Sequence, residues 1–511
     1  MRRFISLVLT LFFLLPTLFS AGCALEAQSQ TGKVLRVCNC EDYIDEDLLL
    51  EFTEETGIEV IYSTYGTNEN LYNELVINPN SYDLVVPSEY MIEKLAEEGR
   101  IQKLDFSRLT DYKENISTYI SDRLDQLEFT VKGGKDKGQT AKLSEYMVGY
   151  MWGTMGWVYN TDAVDIDLVK SWTGVFSEPS LNKRITIKDA VRDSYIVGLA
   201  MVYQNELKTV TDNATITEIL NRVDQDSIDK VNAKLEEFKP MLYGFEVDSG
   251  KNDIINNRID AYVAWSGDAA YAIDVASGEA EDEDGSYVTD TRTLSYYIPD
   301  EGSNIWFDGF VMPSGSTNYD AVYKFLEFIS RPETVYRNMD YTGYTGMVAS
   351  GSFTMEDEET GEEYETDIFN EIVLGWFDES EDLEGDPTAK VVDLSYFFGN
   401  DGDYTVTVSE ESYGRLIAQY PTAEIVERCA IMSNFSSDTL LAINGMWESV
   451  KGETFPVWLI FLMMGLVLLL AVVIVLYRNK DKIKWFRLPE RKTTYAQRKG
   501  YTLIKKEDID Y

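Results

Sequence analysis

Residues 34–65, VLRVCNCEDYIDEDLLLEFTEETGIEVIYSTY, decide the fold. Val34 to Val37 reads as a short apolar strand. Asp45 to Thr56 reads as an amphipathic helix stopped by Gly57, the residue that most easily takes the left-handed conformation at a helix end. Ile58 to Ser63 is the next strand. Further along, Asn68 to Val76 is helical, and Asp83-Leu84-Val85-Val86-Pro87 is a fully buried strand that empties into Ser88, a helix N-cap before Tyr90 to Glu98. This βαβαβ order predicts an α/β domain with a parallel sheet. Ligands of such sheets sit beyond the carboxyl ends of the strands, here the loops at Asn39 to Tyr43, Thr64 to Asn68 and Ser88 to Tyr90.

A second α/β unit follows, with strands at Trp152 to Asn160, Ile185 to Ile187 and Ala261 to Trp265, and a helix and loop around Leu168 to Phe176. The stretch from Ile305 to Pro313 reads as a crossover strand, followed by a helix from Ala321 to Ile329. From Met355 to Asp403 the chain turns acidic and irregular, and helical pattern returns from Thr422 to Val450. A chain of 511 residues is too long for one core and predicts two domains.

The ends carry membrane signals. Residues 456–477 are uncharged and apolar, long enough to span a bilayer, and are followed by Arg478, Lys480, Lys482, Lys484 and Arg487. This predicts a single transmembrane helix, a basic cytoplasmic tail at 478–511, and everything before the helix outside the cell. At the other end two arginines, an apolar run and Ser20-Ala21-Gly22 precede Cys23, a pattern that predicts a signal peptide over 1–22 and a polar linker over 23–33. Cys23 is a candidate for lipidation; cleavage nearby, or retention as a second anchor, is the alternative.

Composition narrows the chemistry. The chain has no histidine, which excludes Ser-His triads, histidine acid/base catalysis and most zinc sites. Cys38, Cys40 and Cys429 would remain after Cys23, an odd number that leaves at least one free thiol unless pairing is intermolecular. Cys38 and Cys40 share one strand face, so either could reach Cys429, but plain buried thiols are the default and no metal site is expected. The net charge is −43 while the tail is basic, so the external portion is strongly acidic and repels nucleic acid. Runs such as Glu279 to Asp284 and Glu356 to Glu365 read as solvated loops.

Five stretches in order, EFTEETGIEVIYSTY (51–65), YDLVVPSEY (82–90), WGTMGWVYN (152–160), the WSG at Trp265 and WFD (306–308), resemble the spermidine/putrescine-binding proteins, the periplasmic-binding-protein-like receptors of polyamine ABC transporters. The resemblance runs from about Val34 to Thr345 and more weakly to about Lys451. It implies two lobes joined by a hinge: lobe 1 over 34–153 with about 307–352, and lobe 2 over 154–306 with about 353–450. It also implies a ligand held between the lobes for delivery to an ABC permease with a cytoplasmic ATPase, no cofactor, and no enzymatic activity. The positions that match the family's ligand contacts are Tyr43, Ser88, Tyr90, Asp193, Trp265, Trp306, Asp308 and Tyr344. The set suits a polyamine, whose methylenes need aromatic walls and whose ammonium groups need carboxylates or π-faces. For Asp193, Arg192 and Lys188 offer ordinary surface partners; Ser88 could serve only as a helix cap.

Departures from the family pattern bear on the ligand. Cys40 stands where the family commonly has a tryptophan, and Glu41 follows it, so both are further candidate contacts. An acidic position falls on Ala190, beside Asp189, and a C-terminal amide position falls near Met432. A membrane-anchored sensor or receptor for another cationic solute is the alternative reading. An extracellular hydrolase using paired carboxylates is a third reading, but no spacing singles out such a pair.

Overall fold

The computed structural model describes residues 33–278, 286–288, 291–357, 360–399, 402–452 and 465. The expected signal peptide, Cys23, the basic tail and all of the apolar segment 456–477 except Gly465 lie outside these residues. Among the described residues no helix is long and apolar enough to cross a membrane.

The first unit forms as its pattern predicts. Strand β1 (Val34–Cys40) leads into helix α1 (Glu46–Thr56), whose N-cap Asp45 accepts the Asp47 N–H. Gly57 closes α1 at φ 69° with its N–H on the Thr53 carbonyl, a conformation that costs a residue without Cβ little. Strand β2 (Glu59–Tyr65), helix α2 (Asn68–Ile77), strand β3 (Leu84–Val85) and helix α3 (Glu89–Glu97) follow. Both β2 and β3 pair with β1 in parallel. β3 is shorter than expected: Asp83 still donates its N–H to the Arg36 carbonyl, but its carboxylate accepts the Arg36 N–H and also accepts from the Ser316 and Asn318 side chains.

Two long strands carry the rest. β4 (Met147–Asn160) is buried at every residue. After it come β5 (Ile185–Lys188), helix α4 (Val191–Leu207), β6 (Leu242–Glu246), β7 (Ala261–Trp265), helix α5 (Ser266–Ser277), β8 (Leu294–Tyr297) and β9 (Ser303–Pro313). The main sheet has the order β2-β1-β3-β9-β4-β7-β5-β6, with β8 beside β4. The end of β9 meets β3 and the start of β9 meets Cys429–Ala430. The first half of β4 pairs with β9, and its second half with β7 and β8. Two α/β lobes therefore share β4 and β9.

The acidic stretch departs from expectation. It holds the strand pair Ser352–Glu356 with Glu363–Asp367, a π-helical turn at Phe369–Leu374, and the pair Lys390–Asp393 with Thr405–Val408. Phe369, Phe397, Phe398, Tyr404 and Tyr420 pack together beneath it at ring distances of 5.0–5.7 Å. Buried aromatics order the segment while its carboxylates face out, and the charge composition hides that alternation. The expected helix from Thr422 to Val450 is broken. Helix α6 (Pro332–Thr342) is followed late in the chain by a helix at Glu410–Gln419 that lies before the expected start. Cys429–Ala430 then turns into a strand on β9 before helix α7 (Ser437–Lys451). Cys38, Cys40 and Cys429 are all free thiols.

Trp152 of β4 is fully buried and stacks on Phe397 at 5.3 Å, joining the central sheet to this aromatic cluster. Trp152→Ala should lower stability by about 3–5 kcal/mol, the usual cost of removing a large buried aromatic; urea unfolding of the variant against the parent measures it.

Candidate functional site

Asp308 is placed by an irregularity of the sheet. Phe307 faces Trp152 and Gly309 faces Gly149, so two residues of β4 oppose Asp308 alone. Such a bulge breaks the ladder and re-aims a side chain. Asp308 bridges instead to Ser88, beyond the end of β3. Its Oδ2 accepts the Tyr43 hydroxyl at 2.8 Å, while Oδ1 is buried and accepts no hydrogen bond from the protein. Burial pushes the carboxyl up to about 6 against the opposing pull of Ser88 and Tyr43.

Aromatic rings wall this carboxylate. Tyr43 meets Tyr344 edge-on at 4.8 Å and Tyr150 at 5.4 Å, and Trp306 lies 5.8 Å from Tyr344. Gly153 and Gly267 make room: a Cβ on either would collide with the Trp306 or the Tyr344 ring. Glu89, the first residue of α3, is buried beside them. One of its oxygens accepts the Phe307 N–H at 2.9 Å and the other, Oε1, accepts nothing from the protein. Burial, reinforced by Asp308, pushes Glu89 up to about 8 although the Phe307 N–H opposes it.

A second cluster adjoins the first through Tyr344, whose hydroxyl donates to Asp268 Oδ1 at 3.0 Å. The other Asp268 oxygen accepts Lys188 Nζ at 3.2 Å. That ammonium also donates to the Val247 carbonyl at 2.6 Å, lies 3.7 Å from Glu246, and sits 4.1 Å from the centre of the Trp265 ring. Burial pulls the Lys188 pKa down, but Glu246 and Asp268 outweigh it and the net shift is upward. Asp193, on the first turn of α4, is pushed up to about 7 by burial against the attraction of Lys188.

The eight expected residues thus fall into three arrangements. Tyr43, Ser88, Trp306, Asp308 and Tyr344 converge. Trp265 and Asp193 gather around Lys188. Tyr90 turns to Arg192, whose guanidinium lies 4.5 Å from its ring centre, and its hydroxyl donates to Glu69 at 3.3 Å. Lys188 and Arg192 are buried, not the surface partners the sequence suggested. Ser88 makes no side-chain cap on α3; its hydroxyl accepts from Asn68 Nδ2 at 3.0 Å. Cys40 is half-buried, its thiol pushed up by burial and by the charge of Asp308, whereas Glu41 is exposed. Asp189 accepts the Trp447 indole N–H at 3.1 Å. Glu89, Lys188, Asp268 and Glu246 were missed. Lys188 alone left a trace, as a charge ending the apolar strand Ile185-Thr186-Ile187. A separate depression of about 860 Å³, lined by Asp274, Trp376 and Arg415 among others, contains none of the converging residues.

The arrangement offers carboxylate acceptors in an aromatic enclosure, suited to a cationic donor, and comparison with known proteins agrees with a binding role. The spermidine/putrescine-binding periplasmic protein of Salmonella typhimurium is 26% identical over 319 residues, which cover 62% of this chain and 78% of that protein. The putrescine-binding periplasmic protein of Pseudomonas aeruginosa is 31% identical over 327 residues, 63% of this chain and 80% of that protein. In fold, the chain resembles the putative spermidine/putrescine ABC transporter structure from Listeria monocytogenes with a TM-score of 0.57 and 23% identity, covering 82% of this chain and 99% of that one. Residues 47–359, which run from the second residue of α1 to past β9 and α6 and hold all but Tyr43 of the converging set, match the family described as bacterial extracellular solute-binding protein, and it is to this family that the chain belongs.

Proposed function

We propose that the protein is a receptor for amine cations of the putrescine and spermidine class, which it captures between its two lobes and delivers to an ABC permease for uptake. The observation that carries this reading is the pair of buried acceptors, Asp308 Oδ1 and Glu89 Oε1, that the protein itself leaves without donors inside a wall of aromatic rings. Buried polar groups are nearly always hydrogen-bonded, and an ammonium supplies the donors and the charge together. The names of the relatives point to the same ligand class. Lobe 1 comprises 34–153 with about 307–352 and lobe 2 comprises 154–306 with about 353–450, so the chain crosses between them near Gly153 and Phe307. Closure about these crossings follows the hinge motion of two-lobed binding proteins. The protein does no covalent chemistry in this role. Residues 456–477 anchor it by a single pass, on the strength of their apolar sequence and basic flank; the anchor keeps the receptor near its permease at high effective concentration. The tail at 478–511 lies in the cytoplasm.

Titration calorimetry of the purified full-length protein with putrescine, cadaverine, spermidine and spermine, against maltose as control, tests this directly. Saturable one-to-one binding of an amine is expected, and heat from none of them in a folded sample overturns the proposal. Asp308→Asn should weaken binding by about 3–5 kcal/mol, a hundredfold or more, because it strips the charge from a buried pair. Unchanged affinity would remove Asp308 from the mechanism. Lowering the pH through about 8 and then about 6 should weaken binding in two stages, because first Glu89 and then Asp308 carries a proton that the ammonium must displace. The ligand-free protein responds with the opposite sign: a carboxyl raised above its ordinary value stabilises the fold at low pH and loses that contribution as pH rises through about 6 for Asp308 and about 8 for Glu89. Affinity and melting temperature measured from pH 5 to 9 therefore separate the two effects.

A further inference from the structure

Trp265 was expected to wall a ligand, and in the structure its face carries an ammonium that belongs to the protein. Lys188 Nζ sits 4.1 Å from the Trp265 ring centre, donates to Asp268 and to the Val247 carbonyl, and pairs with Glu246. An aromatic face, two carboxylates and a carbonyl are what a buried ammonium requires. The group is fixed, because Lys188 ends the buried strand β5 and its side chain is 1% exposed. It is also continuous with the ligand end of the site, through Asp268, Tyr344 and Tyr43 to Asp308.

We infer that Lys188 is a resident ammonium: it fills a cation subsite built from Trp265, Asp268 and Glu246, and so confines the ammonium groups of a ligand to the Asp308 end. This rests on the amine reading above and concerns which amine is chosen. Arg192 acts alike on Tyr90, so two of the five expected aromatic walls are already covered on one face by the protein's own cations. Tyr43, Trp306 and Tyr344 remain for the ligand. A further ammonium along a longer polyamine meets a like charge at Lys188 and gains nothing from the carboxylates beyond it. The selectivity is therefore for a short amine over a long one, and Lys188 sets it.

The test compares the full-length protein with Lys188→Ala. In the parent, spermidine should bind no more tightly than putrescine. In Lys188→Ala the ratio of spermidine to putrescine affinity should rise by about tenfold or more as Asp268, Glu246 and the Trp265 face become available. A parent that prefers spermidine by that margin, or a ratio unmoved by the substitution, overturns the inference. A second measurement does not depend on polyamines: millimolar ethylammonium should raise the melting temperature of Lys188→Ala by roughly 2–4 °C and leave the parent unmoved. No such rescue overturns the inference. Rescue by ethylammonium together with silence toward putrescine and spermidine in both proteins supports the resident ammonium and discards the polyamine receptor. Should Lys188→Ala fail to fold, Lys188→Gln replaces it in both measurements.

Discussion

Asp308 lies at a bulge in a strand buried among its neighbours, and a carboxylate there persists only if donors or cations are brought to it. Much of the central architecture serves that demand. β9 must leave its ladder with β4 to let Asp308 reach Ser88, and the loop after β1 must fold inward to deliver the Tyr43 hydroxyl. Gly153 and Gly267 let the rings of Trp306 and Tyr344 close around the group. Its residual unmet acceptor, and that of Glu89 beside it, hold the site in a state of electrostatic demand that the sheet cannot satisfy from its own backbone.

What was legible in the sequence was what local chemistry dictates. Gly57, Asp45 and the apolar runs placed α1 and β2 within a residue or two, while β1 runs three residues past its expected end at Val37; the WFD motif at 306–308 drew attention to Asp308. Long-range charge pairing was not legible. Lys188 and Arg192 look like ordinary surface residues beside Asp193, and only the fold brings Asp268, 80 residues away in sequence, onto the Lys188 ammonium. The stretch after Met355 misled in the opposite way. Its carboxylates dominate the composition, yet Phe369, Phe397 and Phe398 anchor it, and sparse aromatics in a charged segment carry more structural information than the charges do.

The electrostatics reverse between outside and inside. The chain carries −43 overall, so its surface field draws cations toward it and repels anions. Within the cleft, two buried cations stand among the carboxylates, and burial raises Glu89, Asp193 and Glu246 toward or above neutrality. Attraction at long range therefore says little about discrimination at contact. In the proposed receptor, arrival rests on the acidic surface, whereas the choice among arriving cations rests on where Asp308, Glu89 and Lys188 stand.

Helix α7 has a mechanical consequence. Its Trp447 donates to Asp189 and packs against Phe245, so the last described helix is fastened to the lobe that contains β5 and β6. The chain leaves this helix at Lys451, five residues before the apolar segment begins. Helix α7 is therefore a clasp closed late in the chain, holding the end of β5 with a residue 258 positions further on.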